Sequence, residues 1–146
     1  MSGEFRFRTA VKVRYNEVDM QGHVNFANYY FYFDIGLTEY LSAIGYDYSR
    51  MLADGQDMLY VESHCSHKSP ARWPERLWIH TRVAEMRKRG LRFEFEARAE
   101  QDDRLVATGH IVAVTAHREG LTPCPIPDGL REAVLAYEGE KDFSKG

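Results

Sequence analysis

Residue types able to do carbonyl chemistry crowd into one short stretch, Tyr15 to Tyr30, which reads YNEVDMQGHVNFANYY. It holds a carboxylate at Asp19, a flexible backbone position at Gly22, an imidazole at His23 and amides at Asn25 and Asn28. An apolar segment of helical spacing follows at once, so a helix N-terminus falls close behind. The first N–H groups of a helix lack intrahelical acceptors and carry partial positive charge, which suits them to a developing oxyanion. With Asn25 as cap, the N–H groups of Phe26 and Ala27 are the candidates. Asp19, folded back toward them at Gly22, can attack a carbonyl or activate a water. The same residues also describe an ordinary loop. Asp19 then makes an Asx turn, His23 is a structural donor, and Asn25 and Asn28 are caps. On residue types alone both readings stand.

The elements that position this stretch are legible from hydrophobic period. In FRFRTAVKVRY, residues 5–15, Phe5, Phe7, Thr9, Val11, Val13 and Tyr15 share one parity, with Arg and Lys between them, as in a half-buried strand. In FANYYFYFDIGLTEYLSAIG, Tyr29, Tyr30, Phe33, Leu37, Tyr40, Leu41 and Ile44 recur at spacings of three and four, and Gly45 suits the left-handed end. Phe26, Phe31, Tyr32 and Ile35 lie off that stripe, so the helix is expected to be buried nearly all round. Strand-like segments follow at MLYVESHCSHKS, RLWIHTRVAEM, LRFEFEARAEQ and RLVATGHIVAVTAH, the third alternating without a miss. The connections RKRG and QDD are short enough for antiparallel neighbours, and LREAVLAYEGEK suits a terminal helix. The expectation is one α+β domain over residues 1–146, an antiparallel sheet of about five strands wrapped around one long central helix. A single sheet cannot cover an aromatic helix on every side, which points to a homodimer or homotetramer.

Composition narrows the partners. A formal charge of −3 offers no global attraction for nucleic acid or an anionic membrane, so an anionic ligand must be met by local Lys and Arg. Cys65 and Cys124 are the only cysteines, too few for a disulfide framework and too distant for a metal knuckle. His64 and His67 have opposite parity on a strand, which argues against a metal shared between them. No run approaches a membrane span or a signal-peptide core, and a cytoplasmic protein without metal or redox cofactor is expected.

Arg14-Tyr15, Asp19, Gly22, Val24, Asn28-Tyr29 and Glu39-Tyr40, followed by the meander from SHKSPARWPERL onward, resemble the hotdog-fold acyl-CoA thioesterases, specifically the 4-hydroxybenzoyl-CoA thioesterase-like family. The likeness covers residues 8–118. DMQGHVNFANY also looks like the arrangement in plant-type acyl-carrier-protein thioesterases, so the carrier is left open between CoA and a carrier protein. The resemblance implies a hotdog fold and hydrolysis of an acyl thioester to free acid and thiol. It implies Asp19 as nucleophile or general base, the Phe26 N–H as oxyanion donor and His23 as helper. Lys68, Arg72, Arg87, Lys88 and Arg89 are the basic candidates for carrier phosphates. Tyr29, Tyr30, Phe33 and Tyr60 are available to line an acyl slot, with Asn25, Ser63 and Ser66 as further substrate contacts. Glu39 lies roughly 20 Å along the helix from Phe26 at about 1.5 Å per residue, too far to share one thioester, and reads as a buried or interfacial ion-pair partner. A hotdog hydratase or dehydratase, or a non-catalytic acyl-thioester-binding module, is the alternative.

Overall fold

The computed structural model describes residues 5–139. Strand β1 (Phe7–Lys12) is followed by one 3-10 turn (Tyr15–Glu17) and helix α1 (Asn28–Ala43). A short helix α2 (Tyr48–Ala53) leads into strand β2 (Gln56–His67), then β3 (Arg76–Met86), β4 (Gly90–Ala99), β5 (Leu105–His117) and helix α3 (Asp128–Glu138). The five strands form one antiparallel sheet in the order β1-β3-β4-β5-β2. Only β3, β4 and β5 make a meander. Strand β2 pairs with β5 at the far edge, so the 68–75 connection must cross the end of the sheet to reach β3, which has β1 on its other side.

Alternation decides which side of the sheet is core. Leu91, Phe93, Phe95, Ala97 and Ala99 are buried, as are Leu77, Ile79, Thr81 and Val83 opposite them, while Arg92, Glu94 and Arg98 take the outer face. Helix α1 packs on the inner face, where Phe33 stacks on Phe95 with centroids 4.8 Å apart. Gly36 brings the helix against β3, because a Cβ there would stand 2.7 Å from Thr81 Oγ1 and 2.8 Å from Ile79 Cγ2. The helix ends where Gly45 takes φ +88° and the Tyr46 N–H returns to the Leu41 carbonyl, a left-handed C-terminal cap. Helix α3 packs its C-terminal end against β3 and the Tyr40 ring of α1. Its buried Glu138 accepts hydrogen bonds from Tyr40 Oη (2.6 Å) and the Val83 N–H (3.1 Å).

The structure adds the short helix α2 to the expected central and terminal helices, and α1 is the longest of the described helices at 16 residues. Helix α1 is not buried on every side: Phe31 is 65% exposed, and Tyr30 and Ile35 are also open. Glu39 is exposed in the single chain, on the part of the helix the sheet does not cover.

Candidate active site

The segment between β1 and α1 folds back on itself through backbone hydrogen bonds. The Asp19 N–H donates to the His23 carbonyl (2.8 Å) and the Gly22 N–H donates to the Asp19 carbonyl (2.9 Å), closing a tight turn flanked by a Val18–Val24 bridge. Gly22 is favoured there because its φ is +77°, a left-handed conformation that L side chains rarely adopt. The turn is tied to the 68–75 connection by the Val24 N–H to the Ala71 carbonyl (2.8 Å) and by a His23–Arg72 bridge. Asp19 is solvent-exposed, and its Oδ1 accepts the Gln21 N–H at 2.9 Å. That is the Asx turn expected of a loop aspartate, and it leaves Oδ2 without a partner among the described residues. His23 Nε2 is buried and has no hydrogen-bond partner among the described residues.

The helix start divides the two oxyanion candidates. Asn25 Oδ1 accepts the Ala27 N–H (3.1 Å) and the Asn25 carbonyl accepts the Asn28 N–H (2.9 Å). The Phe26 N–H has no protein acceptor among the described residues. Asn28 is structural, its Nδ2 donating to the Glu17 carbonyl at 2.9 Å. Glu17 is the residue that sequence reasoning missed here. Its carbonyl also takes the Asn25 N–H (2.8 Å), and its Oε1 accepts from Tyr32 Oη (2.9 Å) and the Arg14 N–H (2.8 Å). Glu17 therefore staples the loop to α1 and to the end of β1.

Asp19, His23, Phe26 and Tyr29 share one cleft of about 460 Å³ with Lys68 and with His67, another residue that residue-type reasoning passed over. Tyr29 is 4% exposed, and burial pushes its hydroxyl up to about 12, so it stays a neutral phenol at ordinary pH. Arg72 adjoins the turn, as noted. Asn25 acts through its cap.

Other candidates fall elsewhere. Ser63 pairs with Ile111 on the inner face and Ser66 with Thr108 on the outer face, and neither lines the cleft. Three residues apart on a strand, they cannot share a side. Arg87, Lys88 and Arg89 sit at the opposite end of β3 from the turn, about 33 Å away at roughly 3.3 Å per residue, and line a separate cleft of about 650 Å³ with Glu62 and Glu85. Phe33 is fully buried core, while Tyr60 is open and donates to Asp34 Oδ1 at 2.6 Å.

Residues 13–134 match the model of the thioesterase-like superfamily. The chain belongs to that superfamily, whose hotdog fold it shares. A hypothetical protein from Thermus thermophilus superposes with a TM-score of 0.82 at 29% identity, covering 88% of this chain and 97% of that one. A gentisyl-coenzyme A thioesterase gives 0.79 at 25% identity, covering 88% and 99%. A DHNA-CoA thioesterase from Staphylococcus aureus shares the fold, with a TM-score of 0.83 at 22% identity over 92% and 95%. The chain is thus an enzyme, a thioester hydrolase.

Proposed function

We propose that the cleft between the Asp19 turn and the start of α1 hydrolyses an acyl-CoA or acyl-carrier-protein thioester, with Asp19 as nucleophile or general base and the Phe26 N–H as oxyanion donor. The observation that carries this reading is the accounting of N–H groups at the helix start. Asn25 takes those of Ala27 and Asn28, and the Phe26 donor remains, in the cleft that also holds Asp19. A donor left free at a helix N-terminus is what a tetrahedral intermediate needs. The His23 main chain bridges to Arg72 and holds the turn against the 68–75 connection, and His23 is one of the residues lining the cleft. Lys68 and Arg72 supply positive charge for the carrier phosphate beside the cleft.

The reading requires a second copy of the chain. Strand β2 is a sheet edge twelve residues long, and Val61 on it is 60% exposed, beside the open aromatic face of α1. Antiparallel pairing of two β2 edges about a two-fold axis covers both surfaces. It also reverses the partner end to end, which brings the partner's basic hairpin to the Asp19 end and reconciles Arg87–Arg89 with a role at the carrier.

The test is thiol release from acyl-CoA and acyl-carrier-protein substrates, comparing wild type with Asp19→Asn. Asparagine keeps an oxygen for the Gln21 N–H, so the turn survives while the carboxylate is lost. Turnover is expected to fall by about 10²–10⁴ with the melting curve unchanged. Near-normal release by Asp19→Asn refutes the assignment, and alkene hydration without thiol release identifies a hydratase instead.

A further inference from the structure

One wall of the cleft is the end of β2, and it carries an imidazole that the reading above leaves unused. His67 lines the same cleft as Asp19, His23 and Phe26. Its ring stands edge-on to Tyr29, centroids 5.3 Å apart, against a residue too buried to move aside. Its Nδ1 lies 3.8 Å from Cys65 Sγ, two residues back on the same face of the strand. Burial pushes the Cys65 thiol up to about 11, so at neutral pH the sulfur keeps its proton. In the tautomer in which that S–H faces Nδ1, the ring proton sits on Nε2. Nε2 has no protein acceptor among the described residues, and the residue is exposed to the cleft rather than packed in the core.

We propose that His67 is the catalytic residue for the leaving group, its Nε2–H donating a hydrogen bond to the thioester sulfur as the carbon–sulfur bond breaks. This rests on the assignment of Asp19 and Phe26 to the carbonyl side. In the general-base form, the water oxygen bonds to the carbonyl carbon, one water proton passes to Asp19, and the carbonyl electron pair moves onto oxygen, facing the Phe26 N–H. As the carbonyl re-forms, the carbon–sulfur pair departs on sulfur as a thiolate. Nε2–H stabilises that charge and retains its proton, the thiolate is protonated from solvent, and Asp19 returns its proton to solvent. A hydrogen bond to a full charge is stronger than one to a neutral thioester sulfur, so the contact acts on the transition state more than on the bound substrate.

The contact matters only while the leaving thiolate is strongly basic, which sets the experiment. His67→Gln and His67→Ala are assayed with an acyl-CoA and with the same acyl group on an electron-poor arylthiol, alongside Asp19→Asn. With acyl-CoA, kcat of both His67 variants is expected to fall about 10- to 100-fold with little change in KM, the scale of a hydrogen bond to a charged group. With the arylthiol ester the loss shrinks to less than about threefold. Equal losses on the two esters, or no loss on acyl-CoA, overturn the proposal, the first because it marks a role in folding or positioning. Asp19→Asn is expected to lose turnover on both esters. If it does not while the His67 contrast persists, the Asp19 assignment fails and the leaving-group role stands. Melting curves check that each variant is folded.

Discussion

Gly36→Ala tests whether the seat of α1 on β3 sets the active-site geometry. Two terms oppose each other. Replacing a mid-helix glycine with alanine favours the helix by about 1 kcal/mol. The new Cβ, however, falls 2.7 Å from Thr81 Oγ1 and 2.8 Å from Ile79 Cγ2, roughly 0.6 to 0.7 Å inside the 3.4 Å at which ordinary contact begins. Neither neighbour can retreat. Both are fully buried β-branched residues on β3, which is paired to β1 on one side and β4 on the other. Overpacking of this kind costs about 1–3 kcal/mol, so with neighbours this rigid the clash is expected to win by up to about 2 kcal/mol. For a chain of this length that lowers Tm by up to roughly 7 °C. Relief comes from lifting α1, which carries the Phe26 N–H away from the turn anchored to the 68–75 connection. Displacements of about 1 Å cost on the order of 10² in rate, so kcat should fall far more than KM rises. Differential scanning calorimetry and steady-state thiol release measure the two effects. A Tm equal to or above wild type shows that helix propensity prevails and that the close seat of α1 is wrong.

Two further outcomes follow from contacts around the site. Tyr32→Phe removes the hydroxyl that donates to Glu17 Oε1 at 2.9 Å; stability should fall by about 1–2 kcal/mol and turnover by a few fold, and a fully active variant of unchanged Tm would show that the staple does not order the turn. For pH dependence, burial first and then the nearby Arg8 and Arg98 hold His80 below its ordinary value, against the opposing pull of Glu96. The unfolded chain therefore binds the proton more readily, and this contribution to stability is complete above about pH 6.5 and declines as pH falls through the lowered value. His80→Gln should flatten the Tm profile between about pH 6.5 and 5, and an unchanged profile counts against a half-buried neutral imidazole.

Much of the fold could be read directly from period. RLWIHTRVAEM is β3 to the residue, and the alternation of LRFEFEARA in β4 needs no tertiary information, because one face is buried and the other wet. Helix α2 escaped because six residues carry too little period to stand out, although Asp47 marks its start by accepting the Arg50 N–H at 2.8 Å. The position of β2 escaped for a different reason. Nothing local distinguishes a strand that pairs with its sequence neighbour from one that crosses to the far edge. Ser63 and Ser66 were legible as a mismatch, since the parity rule that separates His64 from His67 also separates them. The exposed aromatic face of α1 was not legible, because apolar residues buried by the sheet and those left for a partner look alike in sequence.

The motif around Asp19 is better understood as backbone engineering than as a set of reactive side chains. Gly22 permits the turn, Glu17 staples it, and Asn25 consumes two N–H groups. Asn28 answers the Glu17 carbonyl. Most of these contacts are made to or by the main chain, and what they leave without a partner among the described residues is the Phe26 N–H and Asp19 Oδ2, on two residues that line one cleft. This explains why residue types alone could not choose between a capped loop and a reactive site. The two readings are compatible: Asp19 shapes its loop with Oδ1, and Oδ2 has no partner among the described residues, so the chemical role proposed above falls to a different atom of the same group from the structural one.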